Sequence, residues 1–178
     1  MALVVFLRGV NVGGHRTFRP TVLVSQLKHL EVVNVGAAGT FVVRRPVPRA
    51  KLRAELARRL PFETEIMICD GREIVTLVSR EYFADYPARA DVIRFVSILS
   101  RRPRVMPPLP LTLPDRGMWM VTVLGCEGRL AVGVYRRHMR VLGHLGALDR
   151  VFGAPVTIRG WNTITAIAKI LDPSRDAR

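Results

Sequence analysis

The amino-acid sequence predicts an α+β protein built from two successive halves. Three observations support this: short apolar runs alternate with stretches of helical spacing, glycine-rich turns separate neighbouring runs, and one order of elements occurs twice. The chain has 178 residues, of which 49% are hydrophobic and 24% charged. It is therefore long and apolar enough to bury a core without disulfide or metal support.

The first half begins with a continuous apolar run, residues 3–7, which predicts a strand covered on both faces. After a glycine-rich turn, Pro20 begins a helix in which three leucines, at 23, 27 and 30, recur at helical spacing. A hairpin is predicted around Gly-Ala-Ala-Gly at 36–39, with strands at 32–35 and 41–44. An amphipathic helix follows at residues 49–60, and Pro61 ends it. A strand at 65–69 and a last helix at 72–82 complete this half.

The second half begins with a strand at residues 92–99. Five prolines within residues 101–116 remove backbone donors and forbid a regular helix there. A hairpin is predicted next, with strands at 118–124 and 130–135 around the turn 125–128. A helix at residues 138–152, weakened by Gly143 and Gly146, and a strand at 155–159 come next. The last element is a helix at 163–171 that Asn162 or Thr163 would cap.

Each half thus has the order strand, helix, strand, strand, helix, strand, helix, with the proline-rich segment replacing the first helix of the second half. This is the order of the ferredoxin-like fold, or α-β plait. We therefore predict two tandem ferredoxin-like halves, each with an additional C-terminal helix. A turn at residues 86–89 separates an N-terminal half, 1–87, from a C-terminal half, 88–178.

The chain is strongly basic, with 28 lysines and arginines against 14 acids and a formal charge of +14. Such a charge attracts phosphate, nucleic acid or anionic substrates at long range. However, only Lys28, Lys51 and Lys169 are lysines, and an arginine-rich composition with abundant Ala, Gly, Pro and Val is typical of a GC-rich genome. Two interpretations stay open: compositional bias on a solvated surface, or a functional surface that faces anions.

The turn after the first strand carries one set of candidate ligand-binding residues, Arg8, Asn11, Gly13 and Gly14. The glycines permit positive φ and close backbone approach, and consecutive amides in such a turn can hold an anion. The Arg8 guanidinium is a fork of donors suited to phosphate or carboxylate. The alternative is a tight loop in which Asn11 bonds local backbone and the arginines are solvated. Three further polar residues follow within reach: His15, Arg16 and Arg19.

A second set of candidate ligand-binding residues lies near the other end of the sequence: Arg159, Trp161, Asn162 and Thr163. The free amides at a helix N-terminus accept anions, and Trp161 can stack on a flat ligand. The alternative is that Trp161 anchors the core and Arg159 is a surface or paired charge. We predict that the two sets converge on one solvent-accessible hollow.

Two segments resemble the signatures of a known bacterial family. Arg-Gly-Val-Asn-Val-Gly-Gly at 8–14 resembles the N-terminal signature of the family catalogued as domain of unknown function 1697, and Thr-Ile-Arg-Gly-Trp-Asn-Thr at 157–163 resembles its C-terminal signature. The resemblance implies a fold of two ferredoxin-like halves and implies no activity. Gly160 stands where the family usually has Asn, and Ala-Gly-Thr at 38–40 stands where it commonly has Ser-Gly-Asn. If those polar groups bind a ligand elsewhere in the family, this chain binds it differently or not at all.

The sequence contains no recognisable catalytic motif: the zinc-protease, serine-hydrolase and Cys-x-x-Cys patterns are all missing. Its four histidines share no ligand spacing, and Cys69 and Cys126 are far apart. We therefore predict no metal and no cofactor, and leave open whether the protein is an enzyme. Two isolated cysteines fit a reducing compartment, and no apolar run reaches the ~20 residues of a membrane helix. A cytoplasmic protein without membrane contact is expected; the sequence does not predict its oligomeric state.

The leading functional hypothesis is binding of a small phosphate- or carboxylate-bearing ligand at the two turns. One alternative is weak, sequence-tolerant nucleic-acid binding through the arginine-rich helix face of Arg49, Arg53 and Arg58. Another is an enzyme that acts on a phosphorylated small molecule by positioning and charge stabilisation. A purely structural role of the two motifs is the fourth possibility.

Overall fold

The computed structural model of the protein describes residues 1–11, 13–14 and 16–173. These residues form a mixed α+β fold with two antiparallel sheets, one of four strands and one of five. The chain divides into two compact units: residues 1–78 with the chain from Thr165 onward, and residues 79–164. The last helix therefore begins in the second unit and ends in the first.

The first unit contains the four-stranded sheet, in the order β2-β3-β1-β4. Every neighbouring pair in this sheet is antiparallel. Its elements are β1 (Leu3–Leu7), α1 (Pro20–Gln26), a short 3-10 turn (Lys28–Leu30), β2 (Val32–Asn34), β3 (Thr40–Val43), α2 (Arg49–Arg59), β4 (Ile66–Asp70) and α3 (Gly71–Val78).

Burial of β1 organises the first unit. All five residues of this strand are buried, as its continuous apolar sequence predicts. Leu3, Val5 and Leu7 share one core cluster with Leu23 of α1 and with Leu52 of α2, so this face of the sheet packs under the two helices. The predicted helical faces of α1 and α2 are therefore confirmed.

Helix α3 is shorter than predicted and begins earlier. It starts at Gly71, directly after β4, and ends at Val78 rather than Tyr82. A Cβ atom at Gly71 would lie 2.9 Å from Leu171 Cδ2, so the absent side chain lets Leu171 pack on this junction. Tyr82 leaves the helix because it belongs to the second unit, where its hydroxyl donates to Glu127 Oε1 at 3.1 Å.

The second unit contains the five-stranded sheet, in the order β6-β7-β8-β5-β9, again with antiparallel neighbours. Its core joins Phe95 and Leu99 of β5 to Leu148 and Phe152 of the helical segment. Its elements are β5 (Val92–Leu99), β6 (Leu111–Leu113), β7 (Val121–Glu127), β8 (Leu130–Arg136), α4 (Val141–Gly146), α5 (Leu148–Phe152), β9 (Val156–Gly160) and the start of α6 (Trp161–Leu171).

One local expectation for this unit is confirmed and two are wrong in detail. The proline-rich segment carries no helix, as predicted, but contributes the edge strand β6. The hairpin strands extend to Glu127, so the turn is shorter than 125–128, and a bulge lies between Val123 and Gly125. The predicted helix 138–152 divides at Ala147 into α4 and α5, where weak helix formers precede the break.

The bulge in β7 accommodates an aromatic ring. A Cβ atom at Gly125 would lie 2.8 Å from Cε1 of Tyr82, so only glycine leaves room for this ring. Burial, together with the hydrogen bond to Glu127, raises the pKa of Tyr82 to about 12. Arg80 completes the cluster through an ion pair of 3.0 Å with Glu127.

The start of α6 also differs from the prediction. The helix begins at Trp161 immediately after β9 ends at Gly160. Asn162 and Thr163 therefore lie in its first turn, and neither occupies the predicted capping position. The reason is that β9 remains paired with β5 through its last residue, Gly160, which faces Phe95 in the register, so no connecting residue is left to act as a cap.

The β2–β3 hairpin gives a first test of the packing. Gly39 has φ +71°, and a Cβ atom there would lie 2.5 Å from Val10 Cγ2. Gly39→Ala should therefore cost about 3 kcal/mol of unfolding free energy, through overpacking and left-handed strain. Gly36 has φ +78° but no atom within 4 Å of its Cβ position, so Gly36→Ala should cost only about 1 kcal/mol. Urea unfolding of both variants measures the difference; equal costs would contradict the packing at Gly39.

Candidate functional site

The glycine-rich loop after β1 has the backbone geometry that its sequence predicts. Asn11, Gly13 and Gly14 have φ values of +53°, +58° and +77°. No described atom lies within 4 Å of a Cβ position at either glycine, and both are exposed. The two glycines thus supply left-handed backbone on an open surface.

The side chain of Asn11 ties this loop to its surroundings. Its Oδ1 accepts the backbone N–H of Phe18 at 2.9 Å, and its Nδ2 donates to the carbonyl of Ala37 at 2.7 Å. The Asn11 N–H also donates to the carbonyl of Arg16, at 3.2 Å. These three bonds connect the loop with the β2–β3 hairpin and with the segment before α1. Asn11 therefore has a structural role.

Arg8 is half-buried and directly follows β1, and its backbone N–H and carbonyl both form hydrogen bonds. Its N–H donates to the carbonyl of Glu65 at 3.1 Å, and its carbonyl accepts the Thr64 hydroxyl at 2.6 Å. The guanidinium of Arg16 lies over Gly9, 3.8 Å from that residue's Cβ position. His15 lies outside the described residues. Ligand contact by Arg8, Gly13 and Gly14 stays a prediction.

In the C-terminal motif, Arg159 is only 7% exposed. Its Nη1 donates to Thr157 Oγ1 and to the carbonyl of Ile158, both at 2.8 Å. Burial lowers the pKa of Arg159 to about 10. This guanidinium therefore binds groups of its own strand, β9, inside the second unit.

Trp161 and Asn162 line a cavity of about 260 Å³ beside the start of α6. Arg89 and Arg94 line the same cavity, so the structure joins two predicted residues with two cations that lie in neither sequence motif. Thr163 follows in the helix and is half-buried. Gly160 also lines the cavity, and with no atom within 4 Å of its Cβ position it leaves the wall open there.

Arg94 is held in the cavity wall by an aromatic ring and a carbonyl. Its guanidinium lies 4.6 Å from the ring centroid of Phe83, and its Nη2 donates to the carbonyl of Tyr86 at 2.7 Å. Phe83 in turn packs edge-to-face on Trp161, with ring centroids 4.9 Å apart. The buried Nε of Arg94 has no hydrogen-bond acceptor among the described residues. An arginine within an apolar strand is the sequence signal that could have found this residue.

Arg89 is paired with a carboxylate. Its Nε and Nη2 bind the two oxygens of Asp91 at 2.9 and 3.0 Å, an arrangement that fixes the guanidinium plane. The hydrogen bond from Arg89 lowers the pKa of Asp91. The cavity therefore has one arginine with a neutralising partner, Arg89, and one without a carboxylate partner among the described ion pairs, Arg94.

The described part of the chain contains no cluster of three His, Cys, Asp or Glu side chains that could hold a metal ion. Cys69 is buried, and burial raises the pKa of the Cys126 thiol, which disfavours the nucleophilic thiolate. None of the described helices is long and apolar enough to cross a membrane.

Removing the Asn11 side chain tests its structural role. Asn11→Ala should lower the free energy of unfolding by about 2 kcal/mol, because two hydrogen bonds to backbone are lost and alanine tolerates positive φ poorly. Ser25→Ala is the control, because it removes one exposed bond within α1 and should cost less than about 0.5 kcal/mol. Chemical denaturation gives both values, and a midpoint for Asn11→Ala no lower than that of the control would refute this role.

Comparison with known proteins agrees with the architecture. The chain is similar to the conserved bacterial protein SP0830 from Streptococcus pneumoniae, with a TM-score of 0.62 over 96% of this chain and 98% of that one. At 15% identity this likeness shows the fold alone. A search of curated proteins gives no match. The profile of a family described as protein of unknown function (DUF1697) matches residues 1–106. Because that match covers more than half of the 178 residues and includes the motif at 8–14, the chain belongs to the DUF1697 family.

Proposed function

We propose that the protein binds a small anionic ligand in the cavity formed by Arg89, Arg94, Trp161 and Asn162. The observation that carries this proposal is one cavity lined by two arginines and a half-buried tryptophan. Guanidinium forks bind phosphate and carboxylate, and an indole face stacks on a flat group. The first-turn amides of α6 add partial positive charge at the same place.

The size of the cavity limits the ligand. Pockets for drug-sized ligands begin at about 300 Å³, and this cavity has about 260 Å³. A small metabolite with one anionic group fits these dimensions better than a dinucleotide or a polymer. A second hypothesis remains for the residues that contact the ligand. It uses the other predicted residues, which are Arg8, Asn11, Gly13, Gly14, Arg159 and Thr163.

Nucleic-acid binding through α2 has less support. Arg49 forms an ion pair with Asp70 at 2.5 Å, and Nη1 of Arg53 donates to the carbonyl of Ile66. Two of the three arginines proposed for that surface are therefore engaged by the protein itself. An enzymatic role lacks a specific observation in its favour, because the cavity supplies charge and stacking but no paired acid and base.

We also infer that both sheets are versions of the ferredoxin-like order, in the halves 1–87 and 88–178. The order β2-β3-β1-β4 supports this for the first half, and β7-β8-β5-β9 supports it for the second, with β6 added at the edge. The free cysteines support a cytoplasmic location.

Titration calorimetry with inorganic phosphate and with nucleoside monophosphates tests the binding proposal. Arg94→Gln should weaken anion binding about tenfold or more, because a charge-assisted donor is lost. Arg58→Gln removes the same charge from the exposed face of α2 and should leave the affinity unchanged. Equal affinities of the two variants would exclude the cavity as the binding site.

Asp91→Asn tests the proposal with a variant that should bind the anion more tightly than the wild type. In the wild-type protein the Asp91 carboxylate competes with any anion for Arg89. Its neutralisation should therefore tighten anion binding severalfold, and the gain should shrink as salt concentration rises. An unchanged or weakened affinity would show that Arg89 makes no contact with the ligand.

A further inference from the structure

A second arginine lies close to Arg94 on the same face of the five-stranded sheet. In the antiparallel register of β5 and β8, Arg94 faces Val134 and Val92 faces Arg136. Arg94 and Arg136 are therefore diagonal neighbours on one sheet face, about 7 Å apart at their Cα atoms. Val92, the register partner of Arg136, lines the cavity together with Arg94, whereas Arg136 lies one strand further from it.

The two arginines have matching environments. The guanidinium of Arg136 lies 4.5 Å from the ring centroid of Trp119, as that of Arg94 lies over Phe83. The Nε of Arg136, like that of Arg94, is buried and has no hydrogen-bond acceptor among the described residues. Tyr86 connects the two, because its carbonyl accepts from Arg94 and its ring packs on Trp119 with centroids 6.1 Å apart.

Charge balance at this face is positive. Neither Arg94 nor Arg136 forms an ion pair among the described residues, and both are half-buried. Asp91 lies within electrostatic range of Arg136, but its two oxygens are bound by Arg89. Three guanidinium groups thus share one carboxylate. Neighbouring like charges are unfavourable by themselves and become favourable around a bound oxyanion.

We propose that Arg94 and Arg136 together bind a divalent oxyanion of the phosphate-monoester class, with the organic part of the ligand directed toward Trp161. This inference rests on the proposed function, because Arg94 and the cavity are common to both. It adds the charge of the ligand and a second binding residue. The aromatic rings hold each guanidinium plane in place, so the two forks are preorganised for several oxygens of one group.

The two tryptophans of the chain, Trp119 and Trp161, allow a direct test. Trp161→Phe leaves Trp119 as the reporter beside Arg136, and Trp119→Phe leaves Trp161 as the reporter in the cavity. Titration with inorganic phosphate at constant ionic strength should change the emission of both reporters. Sulfate, also divalent, should behave like phosphate, whereas acetate should bind at least about tenfold more weakly because one charge cannot engage both arginines.

Substitutions then distinguish the contributions of the two arginines to anion binding. Arg136→Gln should weaken phosphate binding about tenfold and acetate binding less than about twofold. Arg136→Lys, which keeps the charge but loses the planar fork, should give an intermediate loss and protects the test against misfolding of the first variant. Arg137→Gln is the matched control: it removes an exposed charge one residue along and should leave both anions unaffected.

The outcomes distinguish this inference from the proposed function. If Arg136→Gln binds phosphate as tightly as the wild type while Arg94→Gln does not, the two-arginine site is wrong and the cavity proposal stands. If acetate binds as tightly as phosphate, the requirement for a divalent group is wrong. If no anion changes the emission of either tryptophan, both proposals are overturned.

Discussion

The direct passage from strand β9 into helix α6 is the constraint on which the candidate site depends. Gly160 is still paired with Phe95 in the sheet, and Trp161 already begins the helix. With no connecting residue, the first turn of α6 must lie beside β5, whose next residue toward the N-terminus is Arg94. The indole and the guanidinium are therefore brought to one cavity by sheet pairing alone. The passage from β4 into α3 at Gly71 has the same form in the other unit.

Part of the basic composition serves structural hydrogen bonding. Arg53 donates to the carbonyl of Ile66, Arg101 to that of Gly153, and Arg129 to that of Ser100. Lysine could satisfy only part of this demand, because its ammonium lacks a planar fork that reaches carbonyls from a fixed direction. The charge of +14 is therefore not a measure of anion-facing surface. Several of the arginines are therefore accounted for by hydrogen bonds within the protein.

Much of the fold was predictable because local patterns determine it. The apolar run of β1, the leucine spacing of α1 and α2, and the turn glycines each indicate their element without knowledge of the rest. The end of α3 was not predictable, because it depends on Tyr82 reaching Glu127, a residue 45 positions away. The candidate site was predictable in part. Trp161 and Asn162 stood in a visible motif, whereas the proximity of Arg94 to Arg136 exists only in the register of two strands.

The packing of Leu171 over Gly71 has a consequence for biosynthesis. The first unit takes its strands and its first three α-helices from residues 1–78 but also includes the chain from Thr165 onward, with the end of α6. A ribosome that has delivered only the first unit's sheet has not yet delivered the segment that covers Gly71. Domains that are continuous in sequence can fold as they emerge, from the N-terminus first. Here the unit that is synthesised first completes its packing only after the second unit has been translated. The order in which the units are synthesised is therefore not the order in which their folding is completed.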